Sequence, residues 1–161
     1  MREHEHYMEE ALKEALSAAS MGEVPIGAVA VMEGEVIARV HNMRETTQDP
    51  LGHAEILLLK KLIGSQVSWR LEGVTVYVTC EPCLMCMGAF IHARIPRVVF
   101  GCMEPKMGAC GSLYDFSTDK RLHHKIEIFP HVLHEKCAGV LKGFFKNLRK
   151  GVEVEGISKN L

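Results

Sequence analysis

His53-Ala54-Glu55 is followed further along the chain by Pro82-Cys83-Leu84-Met85-Cys86. Together these residues supply one imidazole, two thiols and one carboxylate. An imidazole and two thiolates are three of the four ligands of a tetrahedral zinc ion, which leaves the fourth position open for water. A carboxylate that stands beside such a site without binding the metal can accept a proton from that water and pass it on. The pattern reads as a catalytic zinc centre, with His53, Cys83 and Cys86 as ligands and Glu55 as the general acid/base.

Either half of the pattern alone is weak. An H-x-E triplet most often marks a solvated helix start, and C-x-x-C also serves as a redox pair or as half of a structural zinc knot. A structural knot needs four closed ligands, typically with a second Cys pair. The remaining thiols, Cys80, Cys102, Cys110 and Cys137, contain no separate C-x-x-C. A redox pair leaves the upstream H-x-E unexplained. Cys80 does form C-x-x-C-x-x-C with Cys83 and Cys86. It reads as a packed residue at a strand end, with a ligand role as the alternative. Two thiolates cancel the formal charge of zinc, so the bound water is activated less than in an all-imidazole site, where it titrates near ~7. Glu55 compensates for that.

The ligands need two helix starts. Pro82 suits the first turn of a helix, where a missing N–H costs nothing, and Cys83 and Cys86 then share one face of that turn. The positive end of the helix favours thiolate over thiol. His53 and Glu55 open another helix after a polar loop, 41–52, in which Ile56, Leu57, Leu58, Leu59 and Leu62 are apolar enough to be mostly buried. Upstream, Tyr7, Met8, Ala11, Leu12, Ala15, Leu16 and Ala19 recur at helical spacing, and Gly22 closes that helix. Residues 26–32 and 36–40 form a hairpin about Glu33-Gly34-Glu35. Strands follow at 74–79, 98–100 and 125–129, helices at about 82–93 and 133–148. Strands alternating with helices predict an α/β domain with helices on both faces of a mixed sheet.

The chain has 161 residues, 47% apolar and 24% charged, with a net charge of −1. That suits one domain with a sizeable core and gives no electrostatic signal of a polyanionic partner. Nothing approaches the ~18 consecutive apolar residues of a membrane span. Met1 to Glu10 carries no apolar run of the signal-peptide kind, so the six cysteines read as reduced thiols of a cytoplasmic protein. The polar, Gly-punctuated segment 151–161 reads as a flexible tail.

H-x-E with P-C-x-x-C is a known signature of zinc-dependent nucleobase deaminases. Beyond it, the chain resembles the bacterial tRNA-specific adenosine deaminases from about His6 to Lys150. The resemblance is carried by Val24-Pro25-Ile26-Gly27-Ala28-Val29, His41-Asn42, Asp49-Pro50 and His53-Ala54-Glu55-Ile56. It continues through Tyr77-Val78-Thr79, Glu81-Pro82-Cys83, Ile91-His92-Ala93-Arg94-Ile95, Val98-Val99-Phe100-Gly101 and Gly111-Ser112-Leu113. It implies a cytidine-deaminase-like fold, a three-layer α/β/α sandwich around a five-stranded mixed sheet, and a homodimer. It also implies one zinc ion per chain and a tRNA anticodon stem-loop as substrate, with adenosine converted to inosine at the wobble position. Zinc-bound hydroxide would attack C6 while Glu55 moves the protons. Asn42 matches the family residue that hydrogen-bonds the purine, though from spacing alone it would be a turn residue. Ile26 corresponds to the apolar wall beside the base, and the backbone around Ala54 and Cys83 would approach the base and the reacting oxygen. Glu104 stands where many members carry Asp, near the expected sugar. Phe145 and Arg149, on the last helix, are candidate RNA contacts, with Phe144 buried and Phe145 partly exposed.

Two other readings share these residues. A deaminase of a free base or nucleoside would use the same zinc and Glu55; the loop 106–113 and the Phe144–Arg149 helix argue against it. A closed zinc module would need Cys80 as a fourth ligand and would leave Glu55 without a role.

Overall fold

The computed structural model describes residues 2–65 and 68–151, and the backbone of 152–158. The elements run α1 (Arg2–Ser20), β1 (Gly27–Met32), β2 (Glu35–His41), α2 (Arg44–Thr47), α3 (Ala54–Ser65), β3 (Thr75–Cys80), α4 (Leu84–His92), β4 (Arg97–Cys102), β5 (Glu127–Phe129) and α5 (His134–Ser158). The five strands form one sheet in the order β2-β1-β3-β4-β5. β1 is antiparallel to both β2 and β3, while β3, β4 and β5 run parallel. The expected mixed sheet with helices on both faces is present.

Alternation along the strands divides the core in two. Val76, Val78, Val98 and Phe100 join Leu58, Leu62, Met87 and Phe90 of α3 and α4 on one face. Tyr77 and Val99 join Tyr7, Met8, Ala11 and Leu12 of α1, with Cys137 of α5, on the other. The central strands β1, β3 and β4 are covered on both sides, which is why their sequences read as continuous apolar runs rather than alternating ones. Gly27 lets α1 lie directly on the start of β1, because a Cβ there would overlap the backbone of Ala11 and Ala15.

The structure differs from the sequence expectations in four places. The buried stripe of α1 is Tyr7, Met8, Ala11, Leu12, Ala15 and Ala18; Leu16 falls off its edge and is exposed. Ile56 and Leu57, in the first turns of α3, are half-buried. The loop 41–52 contains the short helix α2, stabilised by an acceptor far off in sequence: Glu23 takes the backbone N–H of Glu45 and of Thr46. Finally, α4 starts at Leu84, with Cys83 as its N-cap in extended conformation (φ −74°, ψ 173°). Pro82 therefore precedes the cap, and its carbonyl accepts from Ala109 N–H at 2.9 Å instead of starting the helix. The flexible tail expected at 151–161 falls mainly on side chains beyond 151 and on residues 159–161, which lie outside the described residues. The backbone of α5 extends to Ser158.

Candidate active site

Two helix N-termini converge at one end of the sheet. His53 immediately precedes α3, and its carbonyl accepts from Leu57 N–H at 3.0 Å; Cys83 caps α4, and its carbonyl accepts from Met87 N–H at 2.9 Å. Cys86 lies in the first turn of α4 and is fully buried. The ligand atoms form a nearly equilateral triangle. His53 Nδ1 lies 3.7 Å from Cys83 Sγ and 3.6 Å from Cys86 Sγ, and the two sulfurs are 3.7 Å apart. Tetrahedral zinc with Zn–S about 2.3 Å and Zn–N about 2.05 Å requires edges of about 3.8 Å between sulfurs and about 3.6 Å between sulfur and nitrogen. The donor set and its spacing fit that ion. Among the described residues, this is the one group of three or more His, Cys, Asp or Glu side chains close enough to share a metal.

Cys80 stands apart from the triad. It pairs in register with Cys102 at the ends of β3 and β4 and belongs to the core on the α1 face. The Cys102 thiol and burial both push the Cys80 thiol well above its usual range, keeping it protonated. It is a packed residue at a strand end.

Within the triad the protons are shared unevenly: the Cys83 sulfur and burial push the Cys86 thiol well above its usual range, so a metal entering the triad must displace a proton there and one from His53. The S–H of Cys86 and His53 beside it pull the Cys83 thiol down to about 4 against the effect of burial. The thiolate this creates holds a proton on His53, whose pKa is raised. Glu55, two residues after His53, is 4% exposed. Burial pushes its carboxyl up to about 7, near the value that suits a group taking and returning a proton at neutral pH.

The triad opens into a cavity of about 190 Å³. Ile26, Asn42, Ala54 and Glu104 line it beside His53, Glu55 and Cys83, so the structure brings these sequence-nominated residues together. Val24, Arg44, Cys80, Glu81 and Met107 complete the wall. Phe145 and Arg149 are exposed on α5 and are not among the lining residues. Phe144 lines the α1–α5 groove half-buried rather than buried as expected, because α1 covers it on one side only, and Phe145 is exposed at 41%.

Sequence reasoning missed two buried carboxylates that shape the cleft. Glu23, fully buried, accepts from Asn42 Nδ2 at 3.4 Å as well as from the α2 backbone, and so connects the cleft-lining amide to the short helix. Glu81 accepts from backbone and side-chain donors of the segment that carries Glu104. Isolated glutamates in polar stretches look like surface residues, and the donors to these two lie 19 to 31 positions away. Glu81 was legible only as part of the Glu81-Pro82-Cys83 string.

Comparison with known proteins agrees with this geometry. The model of the MafB19-like deaminases matches residues 2–149. The tRNA-specific adenosine deaminase of Bacillus subtilis is 49% identical over 150 residues, 93% of each chain. A structure solved in work on A-to-I editing by tRNA:A34 deaminases at the wobble position of transfer RNA superposes with a TM-score of 0.81 at 40% identity. It covers 84% of this chain and 99% of that one. The guanine deaminase of Nitrosomonas europaea, at 18% identity and a TM-score of 0.76 over 87% of this chain and 83% of its own, shares the fold alone. On similarity of this strength and coverage, the chain belongs to the tRNA-specific adenosine deaminase family.

Proposed function

We propose that this protein hydrolyses the exocyclic amine of adenosine at the wobble position of a tRNA anticodon, giving inosine and ammonia. The observation that carries the reading is the His53–Cys83–Cys86 triangle at the base of a cleft, with an unligated, buried Glu55 next to it. When bound by these three residues, zinc supplies the Lewis acid that makes a water nucleophilic at neutral pH. With a dication bound beside it, the Glu55 carboxyl would be held ionised at the start of the cycle. Glu55 takes a proton from the attacking water and delivers it to the ring nitrogen. It then takes the second proton of that water and hands it to the departing amine. Ile26 gives the base an apolar face and the Asn42 amide a hydrogen-bonding edge, and Ala54 lets the backbone approach closely.

The surrounding chain supports an RNA-sized substrate. Arg44 at the cleft offers a phosphate contact, and Glu104 offers a sugar contact. Phe145 and Arg149 extend the surface with a stacking ring and a cation. The working form is a homodimer in the cytoplasm. Exposed Leu84 and Met107, flanking the backbone bridge between Cys83 and Gly108, are apolar surface of the kind a partner covers. No helix among the described residues is long and apolar enough to cross a membrane.

The deciding experiment measures inosine in an arginine tRNA transcript with an ACG anticodon, beside free adenosine, cytidine and guanine. Conversion confined to the wobble adenosine is expected. Turnover of a free base or nucleoside alone would keep the chemistry and replace the substrate.

A further inference from the structure

Glu81 is 3% exposed and two residues before a metal ligand, yet it has no part in the proton chemistry. An ionised carboxylate survives burial only where its lone pairs are met. One oxygen accepts from the backbone N–H groups of Cys110 at 2.9 Å and Ser112 at 3.0 Å. The other accepts from Glu104 N–H at 3.0 Å and from the Ser112 hydroxyl. All four donors belong to one segment, 104–112, which curls around the carboxylate. Gly108 makes this possible, since a Cβ there would overlap Glu81 itself. The same segment is tied to the metal-binding stretch through Ala109 N–H and the Pro82 carbonyl at 2.9 Å, and it sends Glu104 and Met107 into the cleft.

We propose that Glu81 is a positioning residue that fixes segment 104–112 as a preformed wall of the cleft, so that it governs how well RNA is held rather than how fast bound adenosine reacts. The substrate in this statement rests on the function proposed above. Charge-assisted bonds to three amides and a hydroxyl remove the ordering cost that a loose segment would incur on binding.

The test compares wild-type, Glu81→Gln, Glu81→Asp and Ser112→Ala proteins, all zinc-loaded. Their kcat and KM are measured on an anticodon stem-loop, and hydrogen exchange is followed at the amides of Glu104, Cys110 and Ser112. Glu81→Gln puts an NH2 where an acceptor stood; its KM is expected to rise about tenfold while kcat stays within about threefold. Zinc content should hold, and the three amides should exchange faster. Ser112→Ala, which removes one donor and leaves the scaffold intact, should shift KM in the same direction by less. Glu81→Asp should recover part of the loss. A fall in kcat at unchanged KM, or loss of zinc in Glu81→Gln, would overturn the proposal. If Glu81→Gln does not fold, an unchanged KM in Ser112→Ala does the same. Unaltered amide protection in Glu81→Gln refutes the clamp whatever the substrate is. A wild-type protein that forms no inosine refutes the substrate reading instead.

Discussion

Replacing Glu55 with Gln should abolish most of the activity and, in metal-free protein, make the fold more stable. The side chain is 4% exposed, and its burial raises the carboxyl from 4.5 to about 7. The folded chain thus holds the proton more tightly than the unfolded chain does. Ionisation works against folding from pH 4.5 upward, and the full penalty is reached above pH 7. The difference amounts to about 3 kcal/mol at pH 8. A neutral amide of the same shape removes that penalty. Chelator-treated Glu55→Gln should therefore melt roughly 6–12 °C above chelator-treated wild type at pH 8, and the gap should close as the pH is lowered toward 4.5. Deamination should fall by about 10²–10⁴-fold or more, the range for losing a general acid/base. Calorimetry across pH 5–9, with zinc analysis and inosine formation on the same samples, reads all three quantities. Equal melting temperatures at every pH would show that burial does not set the Glu55 proton affinity. Loss of zinc from the reloaded variant would make Glu55 a ligand and undo the assignment.

Cys83→Ala and Cys86→Ala should each lose metal and activity together, whereas Cys80→Ala should keep one zinc per chain at a cost of about 1 kcal/mol of stability. A metal-free Cys80→Ala protein would mean that the ligand set is wrong. Burial acts to raise the Glu23 carboxyl, but hydrogen bonds from Thr46 and Glu45, with His41 nearby, outweigh it and hold it below 4.5. Its stabilisation is present above that value and fades as the pH falls through the lowered one. Glu23→Gln should be less stable by about 2 kcal/mol at pH 7, with a gap from wild type that narrows in acid. A gap in urea midpoint that stays constant from pH 7 to pH 3 would contradict this. Phe145→Ala should raise KM for an anticodon stem-loop by about 5–100-fold, the range for losing one stacked base, and leave the melting temperature unchanged. Equal KM values would take Phe145 out of the RNA surface.

The candidate metal triad was legible because its members are local: one H-x-E triplet and one C-x-x-C, each at the start of a helix. The central strands were legible because burial on both faces leaves Val-rich apolar runs that polar elements cannot mimic. What escaped depends on partners distant in sequence. α2 is only four residues long, and its free amides are met by Glu23, so nothing within Arg44–Thr47 announces it. The start of α4 moved past Pro82 because the Pro82 carbonyl is engaged by Ala109, which no local pattern reveals. Leu16 satisfied the helical spacing and still faces solvent, since periodicity defines a stripe without giving its width.

His53 and Cys83 are 30 positions apart in the chain. A metal held between them therefore acts as a cross-link as well as a reagent. It closes a loop that contains α3 and the whole of β3, and a covalent link over such a span removes about 3–4 kcal/mol of unfolded-chain entropy. Because the unfolded chain lacks the preformed triangle, occupancy adds to folding free energy by mass action. With zinc as that metal, its supply would set how much of the protein persists in addition to how fast it works. Under chelation the inactive molecules are also the ones most open to proteolysis, so starvation for the metal would clear the enzyme instead of storing it in an idle form.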